Sequence, residues 1–307
     1  MISNRDAFVT AIVLWIVAAL LMGIAYIMSL SKDTIFLTKS LNSKMMASIE
    51  AESFLEVLKF YIPTANFDKK SLIAPASNTL PVKLPSPIIL DGREYEVGNV
   101  TFSLRDLSSM FNVRNPFVKY IANLATDESQ RELRFILNDS LSDWVDKDDV
   151  ALLNGAELQY YRIKKNVLYG PRNSPAIQSV KELHIIKGYD GLGYKKWKEL
   201  ENYLYYGIGT FYNLLLMDSR QLSAILNISL SEAESYISMR QKDEVRFIRA
   251  VSKLNSFDDS LMGFNISHNI FIKIEVKVGE AVSRIETIID FSRYKTSPFI
   301  TQFFNRY

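Results

Sequence analysis

Six oxygen-bearing side chains, Asp143, Asp146, Asp148, Asp149, Asn154 and Glu157, crowd one short stretch of the chain. Counting Asp146 as position 1 puts Asp148 at 3, the Leu152 carbonyl at 7, Asn154 at 9 and Glu157 at 12. That is the oxygen spacing of an EF-hand loop, which suits a hard cation such as calcium. Val150 and Ala151 depart from it, because the sharp turn at the sixth position wants glycine. A solvated acidic loop anchored by Trp144 accounts for the same residues. Carboxylates held close together repel unless a cation neutralises them, so Asp143 and Asp149 stand as further ligands.

Other chemistry is scarce. The chain has two histidines, His184 and His268, and no cysteine, which removes disulfides, thiolate nucleophiles and Cys-ligated metals. There is no H-E-x-x-H, no G-x-S-x-G and no phosphate-cradling glycine loop, so an anchored enzyme has little to work with. His184 falls in an apolar helical pattern and His268 in a strand pattern, and both read as structural. Lys187–Gly193 and Leu222–Arg240 loosely suggest helix-hairpin-helix units, which would make a membrane-tethered DNA receptor. The second copy lacks a hairpin glycine, and the net charge is only +2. Lys195, Lys196 and Lys198 beside Trp197 read more simply as a solvated face, so no nucleic-acid partner is expected.

The elements that would carry these groups are legible in outline. From Ala7 to Leu30 no residue is charged, and about 20 apolar residues suffice for a helix to cross a bilayer core. Arg5 precedes this run and Lys32 is balanced by Asp33, which leans toward a cytoplasmic N-terminus and a body outside the cytoplasm. Leu41, Met45, Ile49, Leu55, Leu58 and Ile62 continue a helical rhythm up to Pro63. Pro75, Pro81, Pro85 and Pro87 mark an extended connection. Glu94–Leu104 alternates as a strand, residues 111–240 are mainly helical in pattern, and residues 266–291 alternate around Val278-Gly279-Glu280 as a hairpin.

The residues resemble the K-type minor pseudopilins, also called general secretion pathway protein K. Phe8 through Val13-Leu14-Trp15 is similar to the start of the mature family chain. Phe102-Ser103-Leu104-Arg105-Asp106 and Phe111-Asn112-Val113-Arg114-Asn115 are similar to a second block. The third comprises Asp143-Trp144-Val145-Asp146-Lys147-Asp148, Gly155-Ala156-Glu157, Tyr161 and Glu182-Leu183 through Gly188. The family's Asn-x-Asn-Thr-Ala element is absent; Asn213-Leu214-Leu215-Leu216-Met217 stands in its place.

The resemblance implies cleavage by a prepilin peptidase between Ala7 and Phe8, with Ala7 where the family has Gly. Ile12 takes the fifth mature position, where most pilin-like subunits carry Glu and this type does not, as suits the tip of a filament. It also implies calcium at the acidic loop. The expected partners are I-type and J-type minor pseudopilins, with the H-type as a further candidate, and an inner-membrane assembly platform. Close helix packing would use Ala11, Ile12, Ala18, Ala19 and Gly23.

The expected fold is α+β: a long N-terminal transmembrane helix and a pseudopilin-type antiparallel sheet with a large inserted α-helical domain. The expected division is a leader over 1–7, the helix over 8–62, the α+β body over 63–110 and 241–307, and the helical insertion over 111–240. The protein would be a single-pass subunit of the inner membrane with a periplasmic body. The implied role is non-enzymatic: initiating the pseudopilus or limiting its length during export of folded proteins.

Overall fold

A single helix, α1 (Asn4–Thr64), joins the charge-free segment to the folded body without a break. The structure is a computed structural model that describes residues 4–75, 82–114, 119–171, 177–207, 209, 211–291 and 299–306. Pro81 and Asn115 of the stretches above lie outside them. An 18-residue window near the start of α1 has a mean hydropathy of 2.4 and is 0% buried, a composition that fits a single-pass membrane anchor. The helix changes character at Ala47. From there Ala51, Phe54, Leu55, Leu58, Tyr61 and Ile62 are buried in a core of their own. Pro63 does not end the helix as expected but sits in its last turn. The turn is closed by the Thr64 hydroxyl, which donates to the Tyr61 carbonyl at 2.8 Å, and by Ala65 N–H to the same carbonyl at 2.9 Å.

That core lies against one antiparallel sheet. Its strands are β1 (Asp91–Val97), β2 (Val100–Asp106), β3 (Asn269–Val278), β4 (Ala281–Asp290) and β5 (Ile300–Arg306), in the order β5-β4-β3-β2-β1. The alternation expected over Glu94–Leu104 is therefore two strands, not one. Gly98, at φ 61°, makes the turn between them, a conformation that costs glycine little. The β3–β4 hairpin turns at Gly279, where φ is 60°. Ile270, Ile272, Ile274 and Val276 point from β3 to the α1 side, as period-two geometry requires, and are buried with Phe102, Leu104 and Ile285. Each contributes about 2 kcal/mol of transfer free energy, so burial rather than strand propensity holds α1 on the sheet.

The helical body is inserted between β2 and β3. It contains α2 (Lys119–Ala125), α3 (Arg131–Val145), α4 (Tyr194–Glu201), α5 (Ser219–Leu226), α6 (Leu230–Lys242) and α7 (Glu244–Val251) around a second core. The boundary expected at 240 falls inside α6, and Phe247, Val251 and Met262 belong to this core, so the helical body continues past it. Asn213 ties the bodies together: buried, it donates from Nδ2 to the Lys69 carbonyl at 2.8 Å and accepts from Leu215 N–H at 3.0 Å. Leu216 then enters the sheet core. The Asn213–Met217 segment thus has a packing role despite lacking the family's element.

Asp106 closes the insertion at both ends. It accepts from Ser108 N–H at 2.8 Å and the Ser108 hydroxyl on the way out, and from Ser267 N–H at 2.9 Å and the Ser267 hydroxyl at 2.8 Å on the way back. Burial still pushes its carboxyl above the usual range, with these bonds pulling it down. Asp106→Ala is expected to destabilise the chain by about 2 kcal/mol, since it strands buried donors. Urea unfolding monitored by circular dichroism would check this.

Candidate cation site

Asp143 is on the last turn of α3, Asp146 caps that helix, and Glu157 opens the next helical turn. The chain between them folds back so that one carboxylate oxygen of each lies within 4.8 Å of the others. Two oxygens bound to one calcium at about 2.4 Å can be no more than about 4.8 Å apart, so the three can share one cation.

Their environment is unusual for acids. Asp143 is 0% exposed and Glu157 6%. Among the described residues, both Glu157 oxygens and Oδ1 of Asp146 are buried without a hydrogen-bond partner. Such groups are costly unless something compensates them. Burial, then the charges of Asp143, Asp146 and Asp149, push Glu157 up to about 7. Asp143 and Asp146 are also raised, chiefly by burial. A divalent cation would relieve all three at once, and the all-oxygen donor set fits calcium.

The remaining candidates stand apart from the cluster. Asp148 accepts Val150 N–H at 2.9 Å and is exposed. Asp149 is exposed, and its charge raises Glu157. Asn154 turns its amide to Asp139 at 2.9 Å. Asp139 and Gly155 escaped the sequence reading as site residues. Asp139 precedes Asp143 by one helical turn on α3, which was the available signal. Gly155 lies so close to Asp143 that an added Cβ would meet Oδ2 at 1.9 Å.

The residues around the cluster hold it in place. Asp143 accepts Leu152 N–H across both oxygens, at 3.2 and 3.1 Å. The next residue, Trp144, is buried, crosses Tyr161 edge-on at 5.3 Å and donates from Nε1 to Glu182 at 2.8 Å. Glu182 also accepts Gln178 N–H at 2.8 Å. Gly188, at φ 85°, lets the chain pass close to Leu137. Motif residues far apart in sequence therefore converge on one place.

A family model described as type II secretion system (T2SS), protein K, matches residues 102–200. These residues carry the protein K signature. The match includes most of β2 and every carboxylate of the cluster. The fold is also similar to a chain in the crystal structure of the GspK-GspI-GspJ complex from the enterotoxigenic Escherichia coli type 2 secretion system. The TM-score is 0.54 at 14% identity, covering 89% of this chain and 99% of that one. No curated protein matches. The family match covers about a third of the chain, and the structural likeness shows the fold.

Elsewhere in the chain, the other candidate residues are placed as follows. Phe8, Ile12, Ala18 and Ala19 are exposed on α1, and nothing lies within 4 Å of a Cβ added to Gly23. Ala7 and Ala11 are in the helix, but their side chains lie outside the described set. His184 sits in a 3-10 turn and stacks on Trp197 at 3.7 Å. His268 precedes β3 rather than lying in it, at φ 62°, with its ring edge-on to Phe67 at 4.7 Å. Trp197 is buried and donates to the Tyr189 carbonyl at 3.2 Å, so it offers no stacking platform for bases.

Proposed function

We propose that the chain caps the type II secretion pseudopilus from the inner membrane, with its body in the periplasm beside I-type and J-type minor pseudopilins. The role is structural rather than catalytic: it starts the filament or limits its length while folded proteins are exported. The observation that carries this reading is α1. One uninterrupted helix is apolar and exposed over its first part and forms the core of the sheet over its last, so a displacement of the membrane half is transmitted directly to the body. Prepilin peptidase would cut between Ala7 and Phe8 to free the helix for bundling, and the assembly platform would engage the bundle. The similar solved chain comes from a complex of K, I and J subunits, which supports the choice of partners.

We further propose calcium as the cation held by Asp143, Asp146 and Glu157. It would supply positive charge that fixes the loop; the chain's own groups do the rest by burying and orienting the three carboxylates.

The test is reconstitution. Residues 33–307 keep the whole buried part of α1, which begins at Ala47. Mixed with soluble I-type and J-type subunits, this body is expected to give a ternary complex by light scattering, weakened by chelation. A monomer in every mixture would overturn the reading, and retention of a DNA probe instead would favour a tethered DNA receptor. In the membrane, Gly23→Leu is expected to leave the thermal midpoint unchanged, because an added Cβ there meets nothing among the described residues, and to reduce exoprotein secretion through poorer helix packing. Secretion at the wild-type level would count against bundling through this face.

A further inference from the structure

The second half of the acidic loop is held by a residue from outside it. Lys187 follows the 3-10 turn at Val180–Ile185, and its ammonium donates to the Asn154 carbonyl at 2.8 Å and the Gly155 carbonyl at 2.7 Å. It lies 5.0 Å from the centre of the Tyr160 ring. The backbone is fixed as well, since Lys187 N–H donates to the Tyr161 hydroxyl at 3.1 Å. The residue therefore bridges the turn on either side of Glu157: two carbonyls just before it and two tyrosines, Tyr160 and Tyr161, just after.

We propose that Lys187 is the positioning residue of the cation loop, holding Gly155 against Asp143 and aiming Glu157 at the cluster before any cation arrives. This rests on the cation reading above. Charge-assisted bonds to carbonyls are stronger than neutral ones, and a ligand set already in place loses less freedom on binding. The opposing effect is electrostatic. A positive charge felt by Asp143 and Asp139 repels an incoming cation, so simple electrostatics predicts that removing it tightens binding. Positioning predicts the reverse, and this difference in sign separates the two.

The experiment is calcium titration by calorimetry on the full-length chain in detergent micelles, with folding verified by circular dichroism and the temperature kept well below each thermal midpoint. Lys187→Met keeps the aliphatic stem and loses every side-chain donor; it is expected to weaken calcium binding at least about tenfold, the size typical of lost outer-sphere support. Lys187→Gln keeps a donor without the charge and is expected to fall between Met and wild type, and it carries the test if the Met variant does not fold. Equal or tighter binding in the variants overturns the role of Lys187. Absence of calcium binding in the wild type overturns the cation reading itself, so the two failures are distinct.

Discussion

Gly155→Ala is expected to abolish most of the calcium response and to destabilise the chain by about 3 kcal/mol, at the upper end for forcing a group into a packed site. The reason is steric. The new Cβ would stand 1.9 Å from Oδ2 and 2.6 Å from Cγ of Asp143, a side chain that is fully buried and cannot swing outward freely. Gly155 is not among the glycines with positive φ, so backbone strain adds nothing and the whole effect lies in displacing a ligand. Calcium affinity should fall on the order of 100-fold, since outer contacts alone account for 10- to 100-fold at metal sites. Paired chelated and calcium-saturated melts would measure both losses. A variant with wild-type calcium affinity would show that Asp143 is not a ligand.

The second large effect is a stability that depends on pH only when the cation is removed. In the chelated chain Glu157 titrates at about 7, against an ordinary 4.5. Between those values the folded chain binds more protons than the unfolded one, so stability must fall as pH rises through that window and level off above it. The loss is about 3 kcal/mol for a shift of this size, and the raised Asp143 and Asp146 act in the same direction. With calcium bound the carboxylates are ionised and neutralised together, so the fall should disappear, and binding near pH 6.5 should release protons. Glu157→Gln gives the sharpest form of the test. It imitates the protonated acid, so the chelated variant should be more stable than chelated wild type at pH 7.5 while losing its calcium response. Melts across pH 5 to 8 would check both signs.

What could be read in the sequence was what depends on long runs. The charge-free stretch through Leu30 and the alternation from Asn269 to Asp290 each specify an element by themselves, and both are present. The end of the helical body was less legible. α7 is only Glu244–Val251, too short for a periodic pattern to stand out, and the chain from 252 to 264 joins the helical core through scattered residues such as Phe257 and Met262. In the acidic loop the twelve-residue span from Asp146 to Glu157 marked two of the three clustered acids. Asp143 joins them because it lies almost one helical turn before Asp146, at the end of α3. Asp148 bonds locally instead, to Val150 N–H, and Asn154 is drawn to Asp139 fifteen residues earlier on α3. The contribution of Lys187 comes from tertiary folding, and no local spacing could reveal it.

β2 and β3 are adjacent antiparallel strands, with Asp106 directly opposite Ile270. Topologically the entire helical body therefore occupies the position of a hairpin turn. Chain ends that already meet pay no further entropy to close, so the body is an elaborated loop that the sheet could exchange for two residues. A shortened chain joining Asp106 to Ile270 through such a turn would lose the acidic cluster and the Leu216 plug yet keep a continuous strand ladder against α1. The sheet with its long helix and the inserted helical body are in this sense separable parts, and new bodies could be grafted at that joint without redesigning α1.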